Sequence, residues 1–247
     1  MVYSVPYVQE ERYVMYNSKS RVILVPDTLP QINVVGIGAL GSKIVDLLGR
    51  LGISCNMYDF DIVEKKNLGN QAFRVEDINK LKVDAAVDFA MDNCGVKQVP
   101  HNEKFEGKLN GITFITVDSG GGEKGANRRQ FAEDNRYNYG CELVIEARMG
   151  LFDGRVYAYQ PTNPIHFREY NKTLTFPKPE DTPEPVMSMC KIRQDLATSS
   201  HIIAGLAVNK LIYWNLLKEG REKAPITNEE IFGYLNGVQS LVNNVWK

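Results

Sequence analysis

The residues with the clearest chemical potential lie between positions 36 and 82. Gly36-Ile37-Gly38-Ala39-Leu40-Gly41 follows the apolar run INVV and opens a stretch in which Leu40, Ile44, Leu47, Leu48 and Leu51 recur at the spacing of one helical face. A strand, a glycine turn and a helix in that order make a cradle for phosphate. Gly36 and Gly38 permit a tight turn and close backbone approach, Gly41 permits close helix-to-strand packing, and the helix N-terminus offers unpaired N–H groups. Ser42 follows directly. Asp59 ends the next apolar run, ISCNMYD, at about the 20-residue distance where a carboxylate binds a ribose. A second acid, Asp61, comes two residues later, and Asn67, Gln71 and Lys82 complete the set. A dinucleotide site needs one acid and has no use for the amides and the lysine. A site that activates a carboxylate with ATP does, because the triphosphate must be held, its charge offset and its α-phosphorus left open to attack.

These residues need a scaffold, and the pattern around them supplies one. INVVGIG (32–38), ISCNMYD (53–59) and ITFITVD (112–118) read as buried strands. Helices are expected between and after them, over 80–94 and from about 123 to 135. Strand and helix in alternation predict a Rossmann-like α/β fold, a doubly wound, mostly parallel sheet with its ligand at the carboxyl ends of the strands. After residue 140 the pattern changes. CELVIEARMG (141–150) and GRVYAYQP (154–161) read as an antiparallel hairpin, and 162–189, with five prolines and little periodicity, reads as a long crossover loop. A long apolar helix runs to about 217, and Thr227 with Glu230 reads as a capping box for a last helix. The expected division is an N-terminal extension (1–31), a nucleotide-binding domain with its strand pair (32–161), the crossover loop (162–189) and a C-terminal helical part of the same domain (190–247).

Composition narrows the partners. A chain of 247 residues with 43% hydrophobic content can bury a full core, and 29 basic against 30 acidic residues leave no summed field for nucleic acid or an anionic membrane. The Arg128-Arg129 pair reads as solvated surface. No apolar run approaches the roughly 20 residues a membrane helix needs, and the N-terminus lacks a basic start followed by an apolar core, so a cytoplasmic protein is expected. The cysteines, Cys55, Cys94, Cys141 and Cys190, form no CxxC pair and the three histidines are scattered, which argues against structural zinc. Cys55 and Cys94 read as packed thiols. His201 sits among apolar helix residues and reads as a satisfied core or interface histidine rather than a catalytic one. Arg148 reads as one half of an ion pair with Glu146 or Glu142, the alternative being a phosphate or carboxylate ligand.

Taken together, GIGALGS, the D-F-D pair, N-L-x-x-Q and the later lysine resemble the ThiF/MoeB and ubiquitin-activating-enzyme-like adenylyltransferases. The likeness continues in LVIEARMGLFDGRVYAYQPTNP and in C-x(10)-HIIAGLAVNK, covering about residues 32 to 218. What it implies is binding of ATP and Mg²⁺ and adenylation of the free C-terminal carboxylate of a small ubiquitin-like (β-grasp) protein or a peptide, by a homodimer or a heterodimer. On this resemblance Gly36, Gly38, Gly41 and Ser42 cradle phosphate, Asp59 binds ribose with Asp61 close by, and Asn67, Gln71 and Lys82 reach the phosphates. Lys82 is a catalytic candidate, and Asp118 is the carboxylate that meets Mg²⁺. Cys190, with Lys191 and Arg193 beside it, is either an acyl or persulfide acceptor or a helix-start thiol without chemistry. The chain departs from the family at Asn70, where an arginine is usual, with Arg74 a nearby substitute, and at Gly121, where a second aspartate is usual. Two other readings stay open, a non-catalytic scaffold that binds nucleotide or partner, and an NAD-dependent oxidoreductase.

Overall fold

Alternation along the central strands decides the architecture. Val34, Phe114 and Ile145 point into one core, while their neighbours Val35, Ile115 and Val144 point into another, so the sheet is covered on both faces. The computed structural model describes residues 29–117, 126–149, 153–174, 189–235 and 238–246. Five strands run parallel: β1 (Ile32–Val35), β2 (Asn56–Tyr58), β3 (Val99–His101), β4 (Gly111–Ile115) and β5 (Cys141–Met149). Three more, β6 (Asp153–Tyr159), β7 (Glu229–Leu235) and β8 (Val238–Asn244), extend it antiparallel. The order is β3-β2-β1-β4-β5-β6-β7-β8. The chain leaves β1 toward β2 and β3 and returns to its other side as β4, which opens a crevice at the carboxyl end of β1. The Rossmann-like α/β sheet with an antiparallel extension is thus the observed fold.

Helices α1 (Gly41–Arg50), α2 (Lys82–Cys94) and α5 (Met189–Lys218) cover one face, burying Ile44, Leu48, Ala86, Ile203, Ala207 and Leu211. Helices α3 (Ala126–Asn135) and α4 (Pro164–Lys172) cover the other through Phe131, Ala132, Phe167 and Tyr170. Among the described residues no helix is long and apolar enough to cross a membrane.

Three expectations need correction. Part of the stretch read as a crossover loop is helical: Asn163 Oδ1 accepts from the N–H groups of Ile165 (2.9 Å) and His166 (3.2 Å), and Pro164 takes the first helical position. A proline there starts a helix, since its missing N–H has no intrahelical partner to lose. Residues 175–188 lie outside the described residues. No last helix follows Thr227. The segment pairs as the hairpin β7–β8, and the Thr227 and Glu230 side chains serve the buried Lys210, whose Nζ donates to Glu230 Oε1 at 2.6 Å, to the Thr227 hydroxyl oxygen, and also to the backbone Thr227 O at 2.7 Å. Ile231 and Phe232, with Asn236-Gly237 ahead of a second apolar run, carry a hairpin signal that the Thr-x-x-Glu pattern masked. The C-terminal part is therefore helical only to Lys218. The short edge strand β3 was not expected, because Val99-Pro100-His101 is too short and too exposed to show a period.

Candidate functional site

At the crevice the turn after β1 is held by the sheet itself. Gly36 N–H donates to Tyr58 O (2.8 Å), and the Thr116 hydroxyl donates to Gly36 O (2.6 Å). Gly36 has φ +89°, and a Cβ there would meet Val117 N at 3.0 Å, so the position needs glycine on both counts. Gly41 is a matter of space: its Cβ would fall 1.8 Å from Gly36 O and 2.7 Å from Thr116 Oγ1. Gly41→Ala is expected to lower folding stability by about 1–3 kcal/mol through this overpacking; an unchanged denaturant midpoint would refute the close-packing role.

The segment after β2 folds back to complete the wall. Asp59 Oδ2 accepts from Ile37 N–H (2.6 Å) and Oδ1 from Asp61 N–H (2.8 Å), which locks the carboxylate against the glycine turn. Asn67 Oδ1 accepts from Glu64 N–H (2.7 Å), and its carbonyl accepts from Gln71 N–H (2.9 Å). Ile62 bridges to Leu81, and Lys82 N–H donates to Asp61 O at 2.9 Å. That local pairing brings Lys82 Nζ to 2.7 Å from Asp61 Oδ2, with the lysine side chain 8% exposed and the aspartate 52%. Buried Asp77 steadies the return: it accepts from Arg74 N–H (2.8 Å) and Lys80 Nζ (3.1 Å). Burial opposes its ionisation, yet these donors hold the carboxyl below its usual range.

A cavity of about 910 Å³ results, and Gly36, Gly38, Asp59, Asp61, Asn67, Gln71 and Lys82 all line it. Gln71 Oε1 is buried there without a hydrogen-bond partner. Gly41 and Ser42 stand behind the wall rather than on it. Ser42 is 3% exposed and its hydroxyl accepts from Ala72 N–H (3.0 Å), tying the Asn67–Gln71 segment to α1. Beside it lies Lys43, 4% exposed, whose Nζ donates to Ala39 O (3.2 Å) and to Asn70 O. Burial pushes its ammonium down to about 8. Arg74, the expected substitute for a cation at Asn70, is engaged instead by Asp92 (3.1 Å), Glu76 (3.2 Å) and Asp77 (3.5 Å).

The outer half of the cavity was not anticipated. Phe60, 59% exposed, stands between the two acids, and Phe105 packs edge-on to Tyr58 at 5.1 Å and beside Phe131 at 5.9 Å. The D-F-D triplet held the first of these in plain view, since it directly follows β2 and all three of its residues line the cavity. Nothing local in the sequence marks Phe105 or Phe131.

The Arg128-Arg129 reading is also corrected for its first member. Arg128 lines the cavity, is 8% exposed, donates to Val117 O (3.0 Å) and lies 2.9 Å from Glu146. α3 turns this arginine onto the sheet, and the buried acid that receives it is 18 residues further on. Arg148 does pair with Glu146, at 2.5 Å. Burial works against its charge, but the carboxylate prevails and holds the guanidinium above its usual range. Glu142 pairs with Lys218 (2.6 Å). His201 is exposed, with Nδ1 2.8 Å from Ala197 O, not packed in the core.

Two expected residues are not located by these contacts. Asp118 lies outside the described residues, as does Gly121. Cys190 is at the second position of α5, with its side chain outside the described residues. Of the other thiols, Cys55 and Cys141 are buried, and burial pushes Cys141 up to about 12. Among the described residues no group of three or more His, Cys, Asp or Glu could hold a metal ion.

The match to known proteins is centred on this crevice. Residues 29–116 match the ThiF family. The chain is 40% identical over 101 residues to ubiquitin-like modifier-activating enzyme 5 of Arabidopsis thaliana, covering 36% of this chain and 23% of that protein. It is 42% identical over 57 residues to the protein of the same name from Oryza sativa subsp. japonica, covering 23% of this chain and 14% of the other. The chain thus spans less than a quarter of the length of these curated relatives. In fold, 90% of the chain superposes on 65% of PaaA with a TM-score of 0.62 at 16% identity. It superposes equally on 66% of E. coli MccB solved with ATP, with a TM-score of 0.61 at 15% identity. The glycine turn and the Asp59-to-Lys82 segment lie within the stretch that matches the ThiF family.

Proposed function

We propose that this chain activates a carboxylate by adenylation, with ATP as co-substrate. The observation that carries the reading is the orphaned Gln71 Oε1, buried in a wall that also holds Asn67 and Lys82, beside a glycine turn locked to Asp59. Turning that amide over presents its NH₂ to an anion, so the donor set fits a polyphosphate. Asp59 retains lone pairs for a ribose hydroxyl after accepting two backbone N–H groups. Phe60 and Phe105 offer apolar surface for a base. In the reaction, a carboxylate oxygen of the partner attacks the α-phosphorus, the bond to the bridging oxygen breaks, and pyrophosphate departs with that electron pair. Lys82 and the donors of the wall offset the charge that develops. Mg²⁺ would travel on the phosphates, with Asp118 the proposed protein ligand.

The partner proposed is a small β-grasp protein or a peptide with a free C-terminus. E. coli MccB is solved with MccA, and the curated relatives are ubiquitin-like modifier-activating enzymes; both support this choice of class. The first test is thermal unfolding with ATP–Mg²⁺, ATP with chelator, and NAD. A ligand at about 100 times its dissociation constant stabilises by roughly 2.7 kcal/mol, and we expect that shift with ATP–Mg²⁺ and its loss in Asp59→Ala. A shift with NAD alone would overturn the reading. Binding of ATP without pyrophosphate exchange in the presence of a β-grasp partner would favour a non-catalytic scaffold.

A further inference from the structure

Lys43 is held in an arrangement that costs the free protein stability. It occupies the first turn of α1, a turn with no acidic residue, where the helix dipole already presents positive charge. It is 4% exposed, so its ammonium has lost most of its hydration. Among the described residues no carboxylate pairs with it, and its hydrogen bonds go to two neutral carbonyl groups, those of Ala39 and Asn70. A buried cation at the positive end of a helix normally has a counter-ion. The two carbonyl partners show where one would lie. Ala39 belongs to the glycine turn and Asn70 to the Asn67–Gln71 segment, and both line the cavity from which Lys43 itself is hidden. Gln71 Oε1, next to Asn70, is a buried polar atom without a hydrogen-bond partner in the same wall.

We infer that Lys43 is the specificity-determining cation of this site: set one layer behind the wall, it makes the cavity select the polyphosphate end of a nucleotide over an uncharged nucleoside. The inference rests on the nucleotide reading above and adds the residue that sets its charge preference. It acts through the wall, so it is a positioning and electrostatic residue rather than a catalytic one. Two effects are separable in principle. The hydrogen bonds staple the glycine turn to the Asn67–Gln71 segment, and the charge favours an anion in front of both.

The test is calorimetric titration of the full chain with ATP, ADP, AMP and adenosine, on the unmodified protein, Lys43→Met and Lys43→Gln. Methionine keeps the length of the stem without charge or donors; glutamine keeps a donor without charge. The expected result is that both variants lose roughly tenfold in affinity for ATP, the weight of one charge acting through the wall at low screening. The loss should shrink through ADP and AMP, and adenosine binding should stay as it was. The melting temperature of the nucleotide-free Lys43→Met protein is expected to equal or exceed that of the unmodified chain, because a buried, uncompensated charge is gone. A purely structural staple predicts the reverse: a lower melting temperature and equal losses for ATP and adenosine. That pattern would overturn the inference, as would ATP preference retained in either variant. An unmodified chain that binds no ATP would instead remove the nucleotide reading itself, and this inference with it.

Discussion

Replacing Lys82 with alanine is expected to lower ATP–pyrophosphate exchange by roughly 10²–10³-fold, the usual effect of removing one preorganised charge-stabilising group. The melting temperature should barely move. Lys82 is nearly buried, but its partner Asp61 is half-exposed and can be rehydrated when the ammonium is gone, so the pair itself contributes little to stability. The separation of the two readouts is what makes the variant informative. Exchange would be measured with a β-grasp protein or peptide bearing a free C-terminal carboxylate, next to nucleotide affinity by calorimetry. Exchange near the unmodified rate would remove Lys82 from the reaction. A fall in exchange that tracks an equal fall in stability would reduce it to a scaffold residue that holds the Asp61 segment in place.

The second large effect belongs to the framework. Glu146 is fully buried on β5 and receives both Arg148 at 2.5 Å and Arg128 at 2.9 Å, with the Tyr170 hydroxyl donating to its other oxygen. Arg148 also lies 4.4 Å from the centre of the Tyr157 ring and donates to Thr173 O at 2.7 Å, so it cannot swing out to water without breaking these contacts. Glu146→Ala leaves two guanidinium groups buried without a counter-charge, and a loss of about 3–5 kcal/mol in folding stability is expected. Because Arg128, Ala147 and Met149 line the cavity, nucleotide affinity should fall as well. Equilibrium denaturation checks the first effect. A loss of only a few tenths of a kcal/mol would mean that the arginines find water, contrary to their burial. Glu146→Gln, which keeps the shape and loses the charge, should fall between the two.

What the sequence by itself determined follows from short-range rules. β1, α1, β2 and α2 were legible because buried parallel strands read as continuous apolar runs and α1 as one apolar helical face. The cradle was legible because a strand, a glycine turn and a helix must come in that order along the chain. Asp59, Asn67, Gln71 and Lys82 could be named together because all lie within one crossover, where the path from β1 to α2 leaves few alternatives. The β5–β6 hairpin was legible for the same reason, its partners being neighbours in the chain.

Tertiary structure decided everything that depends on who faces whom across the sheet. The Arg128 and Arg129 pair looks uniform in sequence, yet one is buried against Glu146 and the other exposed, because α3 turns a single side of itself to the strands. Thr227 and Glu230 fit a helix cap equally well as a sequence pattern; Lys210, reaching over from α5, binds both, and the pairing of β7 with β6 puts Glu230 in a strand instead. Phe105 and Phe131 meet only because the segment after β3 and helix α3 pack on the same face of the sheet. Lys43 reads as one more polar residue in an amphipathic helix, and only the fold reveals that its charge is sealed behind Ala39 and Asn70. Periodicity reports which face of an element is buried, but the electrostatics of a site come from residues far apart in the chain, and those meet only when the layers close.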